Sequence, residues 1–283
     1  MNPEKQSGLL HIVATPIGNL GDVSQRLRET LAAADLIACE DTRRTRKLLS
    51  HLNIRAKLIS CRRENEQEQA AALVARLLAG ENVALVSDAG TPGLSDPGAV
   101  LVQAARAAGI AVVPVAGPSA LAAALSVAGL TGTDFYFGGF PAAKKSERRK
   151  QFAVLKTLPC PLIFYEAPHR IEAALQDCLE IFGDRQAQLF RELTKLHEEH
   201  LAGPLSALLE QLRGRARGEL VLIISGNETA PDSGKPDNLD ELILWHREQG
   251  SSLKDAARQI AADLDLPRSQ VYQRALALYA RIT

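Results

Sequence analysis

Three loops carry the residue types that could do chemistry: TPIGNLGD (residues 15–22), SDAGTPGLSDPG (87–98) and AGPSA (116–120). Glycine lets backbone approach a ligand closely, proline stiffens the loop, and amides at a following helix N-terminus can receive a carboxylate. Each loop alone could be a set of tight turns; three together, one of them holding Asp88 and Asp96, read as a small-molecule site. Asp96, directly before Pro97, reads more simply as a helix cap. The chain has no GxxxxGK[ST] segment and the first loop is not GxGxxG, which argues against a P-loop and a Rossmann dinucleotide site. A fourth segment, EDTRRTRK (40–47), sets two acids ahead of Arg43, Arg44, Arg46 and Lys47. These cations could hold the phosphates of a polyanion or form a solvated helix face. KKSERRK (144–150) and RGRAR (213–217) raise the same two possibilities.

These loops need a frame. Short apolar runs at residues 9–14, 36–39, 56–60, 83–87 and 110–115 read as strands. Between them lie helical patterns at 22–34, 42–52, 64–79 and 97–108. Asp22 is placed to cap the first, and Pro118 to open a further helix through Ala128 at its first position. This βαβ alternation predicts a largely parallel sheet covered on both faces, with the loops at the carboxyl ends of its strands, where open α/β sheets bind ligands. A second α/β lobe is expected over residues 129–226, after a first over 8–128, with strands at 135–137, 162–165, 187–191 and 220–225. Its helices are expected at 146–158 and 169–182. Residues 227–238 read as a polar linker, and 239–283 as a small all-α tail. There, Ser252 and Asp255 resemble a capping box, and Pro267 opens a last helix over 268–282. Two helices joined by LDLP look like a helix-turn-helix exposing Arg268, Ser269, Gln270, Gln273 and Arg274; a hairpin packed on the body or on a second copy is the alternative.

Composition narrows the classes. The 283 residues hold 33 Lys+Arg against 33 Asp+Glu, so attraction to nucleic acid must come from local patches. Four cysteines without CxxC pairing argue against a zinc site or a disulfide framework. The N-terminus lacks a signal-peptide pattern and no apolar run reaches transmembrane length, so a cytoplasmic protein without a membrane partner is expected.

VATPIGNLGD, ACEDTRRTRKLL, ENE, VSDAGTPGLSDPG, PVAGPSA, FYEAPHR, RELTKLHEE and GELVLII stand in the order and at roughly the spacing of one family. The chain resembles the ribosomal RNA ribose methylases of the tetrapyrrole-methylase superfamily over nearly its whole length. One departure is CRRENE (61–66), where such enzymes more often carry histidines. The resemblance implies a two-lobed tetrapyrrole-methylase (class III methyltransferase) α/β fold, a homodimer, and S-adenosylmethionine in the cleft between the lobes. It implies methylation of a cytidine 2′-hydroxyl in small-subunit (16S) ribosomal RNA, with the RNA or the ribosomal subunit as partner.

Carried over residue by residue, the cofactor role falls on Pro16, Gly18, Asp88, Ala89, Gly90, Thr91, Ser119, Ala120, Tyr165, Glu166, Ala167 and Leu193. A ribose hydroxyl is a poor nucleophile at neutral pH, so a base should help remove its proton; Asp41, Glu64 and Glu166 are the candidates. No metal is expected, since no ligand cluster is visible. RNA contacts are assigned to Arg43, Arg44, Arg46, Lys47, Arg268 and Arg274. Two other readings stay open: a corrin or porphyrin precursor methylase, and a non-catalytic RNA-binding protein that senses S-adenosylmethionine. The basic segment and the tail favour RNA over a small acidic macrocycle.

Overall fold

The computed structural model describes residues 7–227, 238–264 and 266–280. It divides into two compact units, Met1–Gly226 and Asn227–Thr283.

The first unit opens with five parallel strands: β1 (Leu10–Val13), β2 (Leu36–Cys39), β3 (Leu58–Ser60), β4 (Val83–Val86) and β5 (Val112–Val115). Their order is β3-β2-β4-β1-β5. All residues of β2 and β4 are buried, as expected of apolar strands covered on both faces. Alternate side chains serve alternate cores. Leu36, Ala38 and Leu85 pack with α3 (Glu66–Leu78) and α4 (Ala99–Ala107). Ile37, Cys39 and Val86 pack with α1 (Gln25–Ala33) and α2 (Thr42–His51).

Two caps differ from expectation. Ser24, not Asp22, caps α1, its Oγ accepting from Leu27 N at 3.1 Å, while Asp22 lies in a short 3-10 turn capped by Asn19. Pro118 precedes the next helix, α5 (Ala120–Val127), by two residues, with Ser119 at the N-cap.

α5 packs across the lobe boundary expected at residue 129. It buries Ala124 and Ala128 against Ile163, Phe190, Val221 and Ile223 of the second sheet. That sheet runs β6-β7-β10-β8-β9, from β6 (Tyr136–Phe137), β7 (Leu162–Glu166), β8 (Gln186–Arg191), β9 (Glu199–Pro204) and β10 (Leu220–Ile224). Only β6 and β7 pair in parallel; the other pairs are antiparallel. Its other face carries α6 (Lys145–Leu155), α7 (Ile171–Phe182) and α8 (Leu205–Leu212) around Phe152, Phe164 and Leu175. Sequence reading passed over β9 and α8. β9 is an edge strand with no fully buried residue, so its EHLAGP lacks an apolar signature.

The second unit holds α9 (Leu239–Glu248), α10 (Leu253–Asp263) and α11 (Arg268–Ala280) around Leu242, Ile243, Ala257, Ile260, Val271 and Ala275. Ser252 caps α10, its Oγ accepting from Asp255 N at 3.2 Å. α9 makes this a three-helix bundle rather than a two-helix motif alone. Most of the expected linker, and Ile282 of the expected last helix, lie outside the described residues.

Candidate functional site

A cavity of about 370 Å³ lies where the carboxyl ends of β1, β2 and β4 meet the second sheet. β1 delivers Ile17, β2 delivers Glu40, and the loop after β4 delivers Asp88 through Asp96. Ser119 and Ala120 open α5, while Tyr165, Glu166, Ala167, Leu193 and Val221 come from the second sheet.

The loops hold one another in place. Thr15 N donates to Gly90 O at 2.8 Å and Gly90 N to Thr15 O at 3.0 Å, a small bridge between the first two loops. Thr91 Oγ1 donates to Pro118 O, tying the second loop to the third. Gly90 is glycine because its φ is +80°, a region costly for other residues; its own amide is already engaged by Thr15. The loop's far end is anchored from below. Glu66, buried at the start of α3, accepts through Oε1 from Gly98 N at 2.8 Å and Val100 N at 2.9 Å. Glu66, not Asp96, thus caps α4, and Asp96 lines the cavity.

Ten of the twelve residues assigned to the cofactor line this cavity: Asp88, Ala89, Gly90, Thr91, Ser119, Ala120, Tyr165, Glu166, Ala167 and Leu193. Pro16 and Gly18 do not. They line an adjoining hollow of about 240 Å³, with Leu20, Arg44, Lys47, Leu48 and His51. A Cβ on Gly18 would stand 2.3 Å from the Lys195 side chain, so any other residue here would have to displace Lys195.

The three acids separate. Asp41 is the N-cap of α2: its Oδ1 accepts from Arg43 N at 2.8 Å, and its carboxylate is gripped by the Arg43 guanidinium at 2.9 and 3.1 Å. These bonds hold its carboxyl far below the usual range, which makes Asp41 a very weak base. Glu64 is exposed and lines neither space. Glu166 alone of the three faces the cavity, 2% exposed. Its Oε1 accepts from Ala167 N and lies 3.2 Å from Arg170 Nε, while Oε2 has no hydrogen-bond partner. Burial raises its pKa. Sequence reading missed Glu40 and Asp96, which also line the cavity and whose pKa values burial and neighbouring carboxylates raise. The signal was available: aspartate's preference for the N-cap assigns Asp41 to the helix and frees Glu40, one residue earlier, for the strand end.

The cations separate as well. Arg43 is neutralised by Asp41, whereas Arg44, Arg46 and Lys47 are exposed on α2. In KKSERRK, Arg148 is buried against Asp177 at 2.5 and 2.8 Å and Arg149 pairs with Asp177 and Glu180, so much of that cluster is structural. In the tail, Arg268 is exposed, but Arg274 grips Asp240 at 2.5 and 2.7 Å. Among the described residues, no group of three or more His, Cys, Asp and Glu is arranged to hold a metal, and no helix is long and apolar enough to cross a membrane.

Residues 9–209 match the tetrapyrrole (corrin/porphyrin) methylases. Ribosomal RNA small subunit methyltransferase I of Xylella fastidiosa strain Temecula1 is 46% identical over 271 residues, covering 94% of this chain and 98% of that protein. Its counterpart in Vibrio cholerae serotype O1 is 44% identical over 270 residues, covering 94% and 93%. Among solved structures, the methyltransferase CobJ superposes with a TM-score of 0.60 at 20% identity, covering 78% of this chain and 95% of that one. Uroporphyrin-III-C-methyltransferase from Thermus thermophilus gives 0.55 at 19%, covering 77% and 94%. At such identities these two speak to the fold alone. Identity to the first two relatives runs over almost the whole length of all three chains, and with the superfamily match it places this chain in the ribosomal RNA small subunit methyltransferase I family of the tetrapyrrole methylases.

Proposed function

We propose that this protein transfers a methyl group from S-adenosylmethionine to the 2′-hydroxyl of a cytidine in small-subunit ribosomal RNA. The RNA substrate is read from the relatives' names and the ribose position from the motif series. The observation that carries the donor assignment is the character of the cavity. Glu40, Asp88, Asp96, Glu166 and Glu219 line it against one lining guanidinium, Arg44, among the described residues. Apolar walls from Ile17, Leu94, Phe140, Tyr165, Leu193 and Val221 complete it. An acidic, partly apolar space suits a cationic sulfonium beside an adenine ring, and its volume falls in the roughly 300–1,000 Å³ range of small-molecule sites. When bound, S-adenosylmethionine supplies an electrophilic methyl group.

The residues then divide the work. The linked loops at Thr15, Gly90, Thr91 and Pro118 give a rigid wall, so positioning is set before the acceptor arrives. Pro16 and Gly18, in the adjoining hollow, act on the acceptor side. Glu166, with its raised pKa and unpartnered Oε2, accepts the hydroxyl proton. Arg170 beside it keeps the carboxylate oriented. The homodimer that the family resemblance implies belongs to the same reading. The test is label transfer from methyl-labelled S-adenosylmethionine to small ribosomal subunits or their RNA. Retention of label in RNA supports the reading. Binding of S-adenosylmethionine without turnover on either substrate leaves a sensor, and label only on a tetrapyrrole precursor leaves a porphyrin or corrin methylase.

A further inference from the structure

The cavity and the hollow beside it are opposite in charge. The cavity wall is dominated by carboxylates. The hollow takes Arg44, Lys47 and His51 from one helix, and its single carboxylate among the described residues is Asp88. That carboxylate is already occupied: its Oδ1 accepts from Asp41 N at 2.9 Å and its Oδ2 lies 3.5 Å from Arg44 Nε. The helix α2 builds this face by spacing. Residues 44, 47, 48 and 51 stand at i, i+3, i+4 and i+7, so Arg44, Lys47, His51 and Leu48 fall on one stripe, over the hollow. The buried side chains Thr45 and Leu49 fix the opposite stripe to the sheet, so the helix cannot rotate the cations away. Arg44 and Asp88 line both spaces, and the wall between them is one ion pair thick.

We propose that this hollow is a phosphodiester subsite, in which Arg44, Lys47 and His51 hold the RNA backbone next to the ribose presented to the main cavity. The proposal rests on the reading that the acceptor is RNA, and it adds where the acceptor's backbone lies. The logic is electrostatic sorting. A cavity lined by Glu40, Asp88, Asp96, Glu166 and Glu219 attracts a sulfonium and repels phosphate, so a polyanion cannot settle where the donor belongs. The basic hollow does the reverse, and because the two share a wall, a backbone held in one places its neighbouring sugar at the mouth of the other. Arg44 is the adjustable member. Its side chain is 62% exposed and its contact with Asp88 is long, so it can turn from the carboxylate to a phosphate at little cost. Arg43, one residue earlier, is excluded because Asp41 already neutralises it.

The test uses the full-length protein with S-adenosylhomocysteine bound and a small-subunit RNA fragment that the wild type methylates. Lys47→Ala/His51→Ala should weaken RNA binding about tenfold at low salt and flatten the log–log salt dependence by about 0.7–0.9 for each phosphate no longer held. Affinity for S-adenosylmethionine, read by calorimetry, should not change, since neither residue lines the cavity. Lys47→Arg should keep both affinity and slope. A neutral methylphosphonate placed in turn at each linkage flanking the target ribose should weaken wild-type binding at one position and should cost the double variant, which keeps Arg44 alone, clearly less there. Equal salt slopes for wild type and double variant, or an undiminished methylphosphonate effect in that variant, overturn the subsite while the wild type's methylation of RNA still stands. A wild-type protein that neither binds nor methylates RNA overturns the RNA reading itself, and the subsite with it.

Discussion

Replacing Glu66 by Ala should both destabilise the fold and loosen the donor site, and the size of the effect can be worked from two bonds. Glu66 Oε1 accepts from Gly98 N at 2.8 Å and from Val100 N at 2.9 Å, and the side chain is 6% exposed. Hydrogen bonds to a charged group contribute about 1.5–3 kcal/mol each, and an unsatisfied buried amide costs about 1–3 kcal/mol. Because both bonds end on one oxygen they do not add fully, and about 3–5 kcal/mol is the expected loss for Glu66→Ala. For a chain of this size each kcal/mol lowers Tm by roughly 2–4 °C, so a fall of about 6–20 °C follows. Glu66→Gln keeps an accepting oxygen and should lose about half as much. Gly98 ends the loop that carries Asp88 to Asp96, so affinity for S-adenosylmethionine should fall about tenfold even at temperatures where Glu66→Ala remains folded. Thermal melts, urea unfolding and calorimetry on the three proteins make the comparison. A loss under about 1 kcal/mol for Glu66→Ala, with unchanged donor affinity, would refute the claim that this carboxylate anchors the loop.

Other outcomes follow from the same geometry. Gly90→Val should lose donor binding, because a branched side chain must adopt φ +80° with Ile17 Cγ2 3.4 Å from its Cβ; calorimetry on the folded variant checks this. Glu166→Gln should lower kcat by about 10²–10⁴-fold, the usual yield of a general base, with a smaller effect on donor affinity. Glu166 also sets a pH dependence: its pKa is raised by burial, so its contribution to stability is present below the ordinary carboxyl pKa and lost as pH rises through the raised value. Glu166→Gln should therefore be the more stable protein at neutral pH, with the gap closing in melts run toward about pH 4, the ordinary carboxyl range. In the tail, Arg268→Ala should flatten the salt dependence of RNA binding by about one phosphate's worth, whereas Arg274→Ala should not, since Asp240 already neutralises Arg274.

The strands and the three loops were legible because burial on both faces demands continuous apolar runs and because Gly and Pro punctuate them: Leu36–Cys39 is seen in sequence as it stands in the fold. The edge strand Glu199–Pro204 was not, because a half-exposed edge strand needs no apolar pattern. Ownership of caps was the weakest reading. Asp22 and Asp96 are good cap types beside helix starts, but Ser24 and the distant Glu66 take those amides, and a partner 32 residues away leaves no local trace. The same limit applies to α5, whose small apolar residues suit either sheet until packing assigns it to the second. For the site, the motif resemblance named twelve residues of which ten line one cavity, whereas the acids were separable only once Asp41's bonds to Arg43 were seen.

Whether the acidic cavity serves ribose methylation of small-subunit RNA is decided by nucleotide-resolution mapping of methyl groups in that RNA after incubation with the protein and methyl-labelled S-adenosylmethionine. Label is expected on the 2′-oxygen of a cytidine, lost in Gly90→Val and strongly reduced in Glu166→Gln. Label on a base, or RNA that stays unlabelled while a tetrapyrrole precursor is methylated, would contradict it.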